Sequence, residues 1–289
     1  MPSDVRIDPL TGDEVVVAAA RQHRPNLPDG CPFCPGGLEA PEPYDVGWFV
    51  NRWPPLPGGR AEVLLFSPRH DASLSDLGDG GVRRVVDLWA DRTAEHAARD
   101  GSAYVLVFEN RGPAVGATID HPHGQLYAFD HVPPAPLREL ERAADRCPLC
   151  DAGPSDRTVS ATGGWTATVP FAPTWPYELL VSPGDHLPDL PLTQANDRDA
   201  FACVLRDVLV RLDQLFDAPM PYMLWVHQRP VDGGDWPGAH LHAHVAPIYR
   251  QPGSPRFVAA GELGGGVWFN PVVPEDAAAA LRALPGARG

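Results

Sequence analysis

His121-Pro122-His123-Gly124-Gln125 is the stretch on which the reading of this chain turns. Two histidines two residues apart on an extended segment carry their imidazoles to the same side. The intervening Pro122 holds φ at about −65° and blocks a helix. Gly124 allows another group to approach the backbone closely. Upstream, Phe108-Glu109-Asn110-Arg111-Gly112 and Gly116-Ala117-Thr118 form a glycine-punctuated approach to the pair. A histidine so placed serves as a nucleophile toward phosphorus or as a metal ligand. A satisfied pair of core histidines would use the same two residues. The crowding of prolines and glycines, and other ligand types recurring at matched distances, argue against it.

That recurrence is an internal repeat. Cys31-Pro32-Phe33-Cys34 precedes Ser67-Pro68-Arg69-His70, and Cys147-Pro148-Leu149-Cys150 precedes Ser182-Pro183-Gly184-Asp185-His186; in each half 39 residues separate the first cysteine from that histidine. The first half then reaches His121-Pro122-His123 and the second His240-Leu241-His242-Ala243-His244. Between these anchors, apolar alternation and β-branched runs predict strands over residues 14–19, 61–67, 103–109, 165–169, 178–182, 222–227 and 240–248. Helical spacing of apolar residues predicts helices over 81–99, 196–216 and 275–284. The expected fold class is α+β: two tandem units, residues 1–140 and 141–289, whose antiparallel sheets, shared or abutting, are flanked by helices.

Composition narrows the function. Hydrophobic content of 44% with 21% charged residues describes a soluble globular chain. No apolar run approaches the roughly 20 residues that span a bilayer, so no membrane partner is expected. The N-terminal residues lack a signal-peptide pattern, and the expected address is cytoplasmic. A formal charge of −14 argues against nucleic-acid binding. Every basic side chain besides histidine is arginine, which excludes a catalytic lysine.

Four of the five cysteines form the two Cys-x-x-Cys pairs. In a reducing compartment such pairs are metal or redox sites rather than disulfides. Pro35-Gly36-Gly37 follows the first pair in place of a helix that would lower a thiol pKa, which disfavours a redox dithiol. Zinc takes four tetrahedral sulfur or nitrogen ligands. Cys31, Cys34, His70 and His121 supply one such set; by the repeat, Cys147, Cys150, His186 and His240 supply a second. Cys203 lies in a helical apolar pattern and reads as a buried small hydrophobe. With His121 on the metal, His123 remains for covalent catalysis on a strand that the metal tethers. Gln125 can donate to a phosphoryl oxygen without taking a proton. Arg21 and Arg24, just after the first strand, suit phosphate recognition.

These residues resemble the galactose-1-phosphate uridylyltransferase family of the histidine-triad superfamily. The likeness runs from Arg6-Ile7-Asp8-Pro9-Leu10-Thr11-Gly12 to Arg256-Phe257 and is most specific over residues 108–125. It implies exchange of UMP between UDP-glucose and galactose 1-phosphate by a ping-pong route. His123 would carry the uridylyl group and Gln125 would bind the transferred phosphoryl group. Arg21, Arg24, Asn51 and Asn110 would lie along the nucleotide, with Gly116 and Thr118 near the phosphates. Arg256 and Glu262 would meet the hexose phosphate, across the interface of a homodimer. Thr118 stands where the family often has serine, and Gly261 where a tyrosine commonly precedes the sugar-binding glutamate. Some members carry iron, and Glu139, His227, His242 and His244 match that pattern. Those members generally lack a second Cys-x-x-Cys, so two zinc sites are expected and iron is disfavoured.

Two other readings compete. His240 to His244 fits the triad of small nucleotide hydrolases, which makes a hydrolase or nucleoside-diphosphate-sugar phosphorylase the alternative activity. A non-catalytic zinc module that binds nucleotide sugars is the third.

Overall fold

Val82, Val85, Val86, Trp89 and Thr93 recur at helical spacing and line the buried side of α1 (Gly78–Ala97). Phe201, Val204, Leu205, Val208, Leu209 and Leu212 do the same for α3 (Ala195–Leu215). Buried between the two helices and the sheet, Phe201 stacks on Trp165 with centroids 4.5 Å apart and tilts against Trp89. Along the outer seam, Arg198 reaches Asp87 at 2.9 Å and Arg206 reaches Asp79 at 2.9 Å, while Arg83 bridges Asp87 and Asp199. The pairing runs up one helix as it runs down the other, so the helices are antiparallel. The computed structural model describes residues 4–19 and 30–287; Arg21 and Arg24 lie outside the described residues.

The helices cover one face of a nine-stranded sheet. Its strands are β3 (Gly47–Val50), β4 (Ala61–Leu65), β5 (Tyr104–Arg111), β6 (His123–Phe129), β7 (Thr158–Thr162), β8 (Trp165–Thr168), β9 (Leu179–Pro183), β10 (Tyr222–His227) and β11 (His242–Pro247). The order is β3-β4-β6-β5-β10-β11-β9-β8-β7, and every pair is antiparallel. Read outward from the β5–β10 seam, each half presents the same succession. First comes the strand before the histidine pair, next the histidine strand, then the strand ending at Ser-Pro, then an outer strand. The mixed helix and antiparallel-sheet architecture is the α+β class expected from the sequence. One sheet runs unbroken through both halves.

Away from the sheet, β1 (Asp4–Ile7) and β2 (Glu14–Val17) form a hairpin, and β12 (Tyr249–Gln251) and β13 (Ser254–Pro255) another. Three helices complete the order: α2 (Pro134–Ala143), α4 (Ala260–Gly265) and α5 (Pro274–Ala283). Helix α2 has no counterpart in the sequence reading, because Pro134 and Pro136 mask it. Both fall in the first turn, where proline's missing N–H costs nothing. Cys203 is half-buried on α3 rather than buried. No described helix is long and apolar enough to cross a membrane.

Strand alternation separates the two faces. Leu64 and Leu126 point into the helix-covered core, while Val63 and Leu65 pack with Phe33, Ala40 and Ile119 on the opposite face. His123 and Gln125 share that opposite face. Gly124 between them points at the core, where a Cβ would lie 2.6 Å from the Phe66 ring and 2.8 Å from the Phe108 carbonyl oxygen. The group that Gly124 admits is therefore the sheet's own interior.

Candidate active site and metal clusters

The loop bearing Cys31 and Cys34 meets the loop after β4, bearing His70, and the entry to β6, bearing His121. Their ligand atoms all lie within 4.8 Å of one another. His121 Nδ1 is 3.6 Å from Cys31 Sγ and 3.7 Å from Cys34 Sγ, and His70 Nδ1 is 3.6 Å from Cys34 Sγ. His121 Nε2 lies 2.8 Å from the Ser67 carbonyl oxygen. A carbonyl only accepts, so Nε2 carries the hydrogen and Nδ1 offers its lone pair to the thiols' centre. Burial lowers the His121 pKa, which keeps the ring neutral as a ligand must be. Burial, and next the neighbouring Cys31, push the Cys34 thiol up. That is the reverse of a reactive dithiol and suits a pair whose protons a bound metal would displace.

The second half repeats the arrangement. His240 Nδ1 is 3.3 Å from Cys147 and 3.5 Å from Cys150, and His186 Nδ1 is 3.1 Å from Cys150. His240 Nε2 donates to the Pro183 carbonyl at 3.0 Å. Ser67 and Pro183 each stand three residues before the outer histidine, so the same backbone position orients both rings. Burial brings His240 down to about 4, and burial with Cys147 raises the Cys150 thiol to about 11.

Two residues past each inner histidine stands a ring held by backbone. His123 Nδ1 lies 2.6 Å from the His121 carbonyl oxygen, and His242 Nδ1 lies 2.7 Å from that of His240. Both Nδ1 atoms donate, so both Nε2 atoms present lone pairs. The Phe33 ring meets the His123 ring edge-on, centroids 5.0 Å apart.

Strand register makes the halves comparable residue by residue. Phe108 is paired with Gln125 across β5 and β6, and Trp225 with His244 across β10 and β11. Two residues along come Asn110 and His123 in the first half, His227 and His242 in the second. The counterparts of Asn110, His123 and Gln125 are thus His227, His242 and His244. Glu139, from α2, joins the second set: its Oε2 is 2.6 Å from His227 Nδ1 and 3.2 Å from His242 Nε2. Its Oε1 is 3.7 Å from His244 Nε2. A lone pair facing a carboxylate, beside a buried His244 with neither ring nitrogen hydrogen-bonded, is a donor set short of protons. Such a set fits a divalent cation. Burial brings His244 down to about 4. Burial alone would raise Glu139, but the His227 and His242 contacts outweigh it and hold the carboxyl well below the usual range. The sequence reading set this cluster against a second Cys₂His₂ site, whereas the structure gathers all three groups at once.

The model of the galactose-1-phosphate uridyl transferase N-terminal domain matches residues 55–133, and that of its C-terminal domain matches residues 143–287. The chain belongs to the galactose-1-phosphate uridyl transferase family. A galactose-1-phosphate uridylyltransferase of Thermotoga maritima is 34% identical over 96% of this chain and 98% of its own. A solved structure described as that of uridylyltransferase superposes with TM-score 0.89 at 29% identity, covering 96% of this chain and 97% of the other. An ADP-glucose phosphorylase from Arabidopsis thaliana, solved with bound ADP-glucose, superposes with TM-score 0.81 at 25% identity, covering 99% of each chain.

In this member of the transferase family, a cleft at His123 is also lined by Asn110, Arg111, Ala117 and Asp120. Gly116 and Thr118 flank Ala117; Gly116, at φ 87°, turns the chain in the left-handed region that glycine adopts most easily. Asn51 lies elsewhere, at the end of β3, where its Oδ1 accepts the Trp53 N–H at 2.9 Å. Arg256 and Glu262 are absent from the described lining of the cleft. They pair with each other inside the C-terminal segment, and Trp175 and Trp268 stand near the guanidinium. The sequence reading passed over Tyr44. Its hydroxyl lies 2.8 Å from His121 Nε2, and burial, with the two nearby cysteines, keeps the phenol protonated. No motif marks this residue; only its place in the fold does.

Proposed function

We propose that this chain exchanges UMP between UDP-glucose and galactose 1-phosphate by a ping-pong route through His123. The observation that carries the reading is the Nδ1 contact of His123 with the His121 carbonyl at 2.6 Å, which leaves Nε2 as the nucleophile. Nε2 attacks the α-phosphorus of UDP-glucose. The bond from phosphorus to the bridging oxygen breaks, and glucose 1-phosphate leaves with that electron pair. The phosphate oxygen of galactose 1-phosphate then attacks the uridylyl-histidine, restores the imidazole and yields UDP-galactose. Gln125 donates to the transferred phosphoryl group. Asn51, Asn110, Gly116, Thr118, Arg21 and Arg24 are assigned to the nucleotide and its phosphates.

Zinc is the ion assigned to both Cys₂His₂ sets. There it would be structural, held by the cysteines of one loop, the outer histidine of a second and the inner histidine of the strand. Glu139, His227, His242 and His244 would hold a further divalent ion, iron among the candidates. The two units are residues 1–140 and 141–289, and the setting is cytoplasmic, where such thiols stay reduced. The working enzyme is read as a homodimer in which Arg256 and Glu262 serve the hexose phosphate. Exposed Phe257, Leu263 and Phe269 surround that pair. Arg256 Nε and Nη1 are buried without a protein partner, a donor arrangement that suits a phosphate.

Similarity to an ADP-glucose phosphorylase, 27% identical over 96% of this chain, favours a second reading with inorganic phosphate as acceptor. One assay separates the two. Label should pass between UDP-glucose and glucose 1-phosphate with no galactose 1-phosphate present, and His123→Gly should abolish that exchange with metal content unchanged. ADP-glucose cleavage dependent on phosphate, without UDP-glucose exchange, would decide for the phosphorylase. Full exchange by His123→Gly would remove the nucleophile assignment.

A further inference from the structure

His121 and His240 are oriented alike, each by a carbonyl three residues before its partner histidine, yet the first has one more contact. Tyr44 Oη is 2.8 Å from His121 Nε2, 2.6 Å from the Phe33 carbonyl oxygen and 3.1 Å from the Ser67 carbonyl oxygen. Among the described residues, His240 Nε2 has the Pro183 carbonyl as its one hydrogen-bond partner. The phenol thus touches all three segments of the first cluster: the cysteine loop through Phe33, the His70 loop through Ser67, and the histidine strand through His121. A hydroxyl has one hydrogen, and the shorter contact gives it to Phe33. The oxygen's lone pairs then accept from His121 Nε2–H, which Ser67 shares. Phe33 continues the line, because its ring is the one lying edge-on against His123.

We propose that Tyr44 is a positioning residue for the reaction at His123. Its hydroxyl fixes the His121 ring and the Phe33 backbone as one body. That body governs how firmly the first Cys₂His₂ set holds its metal and how Nε2 of His123 is aimed. The inference rests on the transferase reading for its catalytic half and on the cluster geometry alone for its metal half. Outer-shell partners of ligating histidines change metal affinity or activity by roughly 10–100-fold when removed.

The test uses Tyr44→Phe in the full-length, metal-loaded protein. Zinc release to a colorimetric chelator is followed alongside steady-state exchange of UDP-glucose with labelled glucose 1-phosphate. The expected result is that zinc from one Cys₂His₂ set leaves about tenfold faster while the other set keeps its wild-type rate. The exchange kcat should fall by a similar factor with KM for UDP-glucose unchanged. Wild-type release from both sets with wild-type kcat overturns the proposal; so does a raised KM with kcat intact, which would place Tyr44 at the nucleotide. If the wild-type protein shows no exchange, the transferase reading fails, while the release rates still decide whether Tyr44 holds the cluster. Should Tyr44→Phe not fold, 3,5-difluorotyrosine at this position keeps the shape and weakens the oxygen as an acceptor. It should quicken release from the same set by a smaller factor, and unchanged release there counts against the proposal.

Discussion

His123 and His242 occupy one position in two copies of a scaffold. Each follows a histidine of a Cys₂His₂ set, and each gives its Nδ1 hydrogen to the carbonyl two residues back, at 2.6 and 2.7 Å. Each also points away from the helix-covered core. What surrounds them differs. Around His123 stand Asn110, Gln125 and the Phe33 ring; around His242 stand His227, His244 and the Glu139 carboxylate. Glu139 lies eight residues before Cys147, and the residue eight before Cys31 is His23. In the proposed reading, the imidazole among amides would offer its lone pair to an electrophilic phosphorus. Beside the other imidazole, the Glu139 carboxylate would repel phosphate and favour a cation. Identical backbone placement therefore leaves the choice of chemistry to a few neighbouring side chains.

The comparison breaks first, and most heavily, on the two histidines. His123→Gly should lower exchange on the order of 10⁴-fold or more, as loss of a covalent nucleophile does. His242→Gly should keep it within about tenfold. Loss of exchange in folded His242→Gly would show that both halves are needed for chemistry. Next come the cysteines. Cys31→Ser and Cys147→Ser should each lose one metal equivalent and melt earlier, since a structural zinc contributes directly to folding. Only Cys31→Ser should also slow exchange at temperatures where both are folded, by roughly 10–100-fold. Metal analysis that finds wild-type zinc in either variant contradicts its ligand assignment.

Smaller effects sharpen the contrast. Glu139→Ala should strip the ion from the third cluster, read by metal analysis, while exchange stays within about threefold. A collapse of exchange would tie that ion to the catalytic half. At the seam between the halves, Glu109 on β5 accepts the Tyr222 hydroxyl at 2.9 Å, and burial raises its carboxyl to about 7 from 4.5. A raised pKa favours the protonated fold, so this contribution is complete below 4.5 and disappears as pH climbs through about 7. Glu109→Gln, always neutral, should therefore gain on the wild type by about 1–3 kcal/mol at pH 8 in urea unfolding, with the gap closing at pH 5. An equal difference at both pH values would show that the carboxyl does not titrate in this window.

Features written in short, spaced motifs could be read from the sequence. The two Cys-x-x-Cys pairs with their 39-residue interval pointed to both Cys₂His₂ groupings that the structure brings together, because residues able to share a metal must converge wherever the loops run. Helices α1 and α3 and strand β10 were legible because each buries one face at a regular period. Placement of β5 against β10 was not, since strand order depends on partners more than 100 residues apart. Helix α2 hid behind its prolines, and its Glu139 reaches histidines 88 and 103 positions away. Tyr44 carries no motif at all. The mutual burial of Arg256 and Glu262 was equally out of reach, because nothing in a charge pair six residues apart shows that two tryptophans stand near the guanidinium.

The β5–β10 seam has a consequence for how this molecule can be taken apart. Five residue pairs join those strands at the middle of the sheet, and α1 lies against α3 directly above. A fragment ending after β6 would leave residues 107–111 of β5 as an unpaired edge, although α1 would still cover that strand's inner face. Such an edge recruits the nearest strand it meets, commonly that of another copy. Neither duplicate is thus a portable module. A half expressed by itself should therefore aggregate, whereas the intact chain keeps that edge paired.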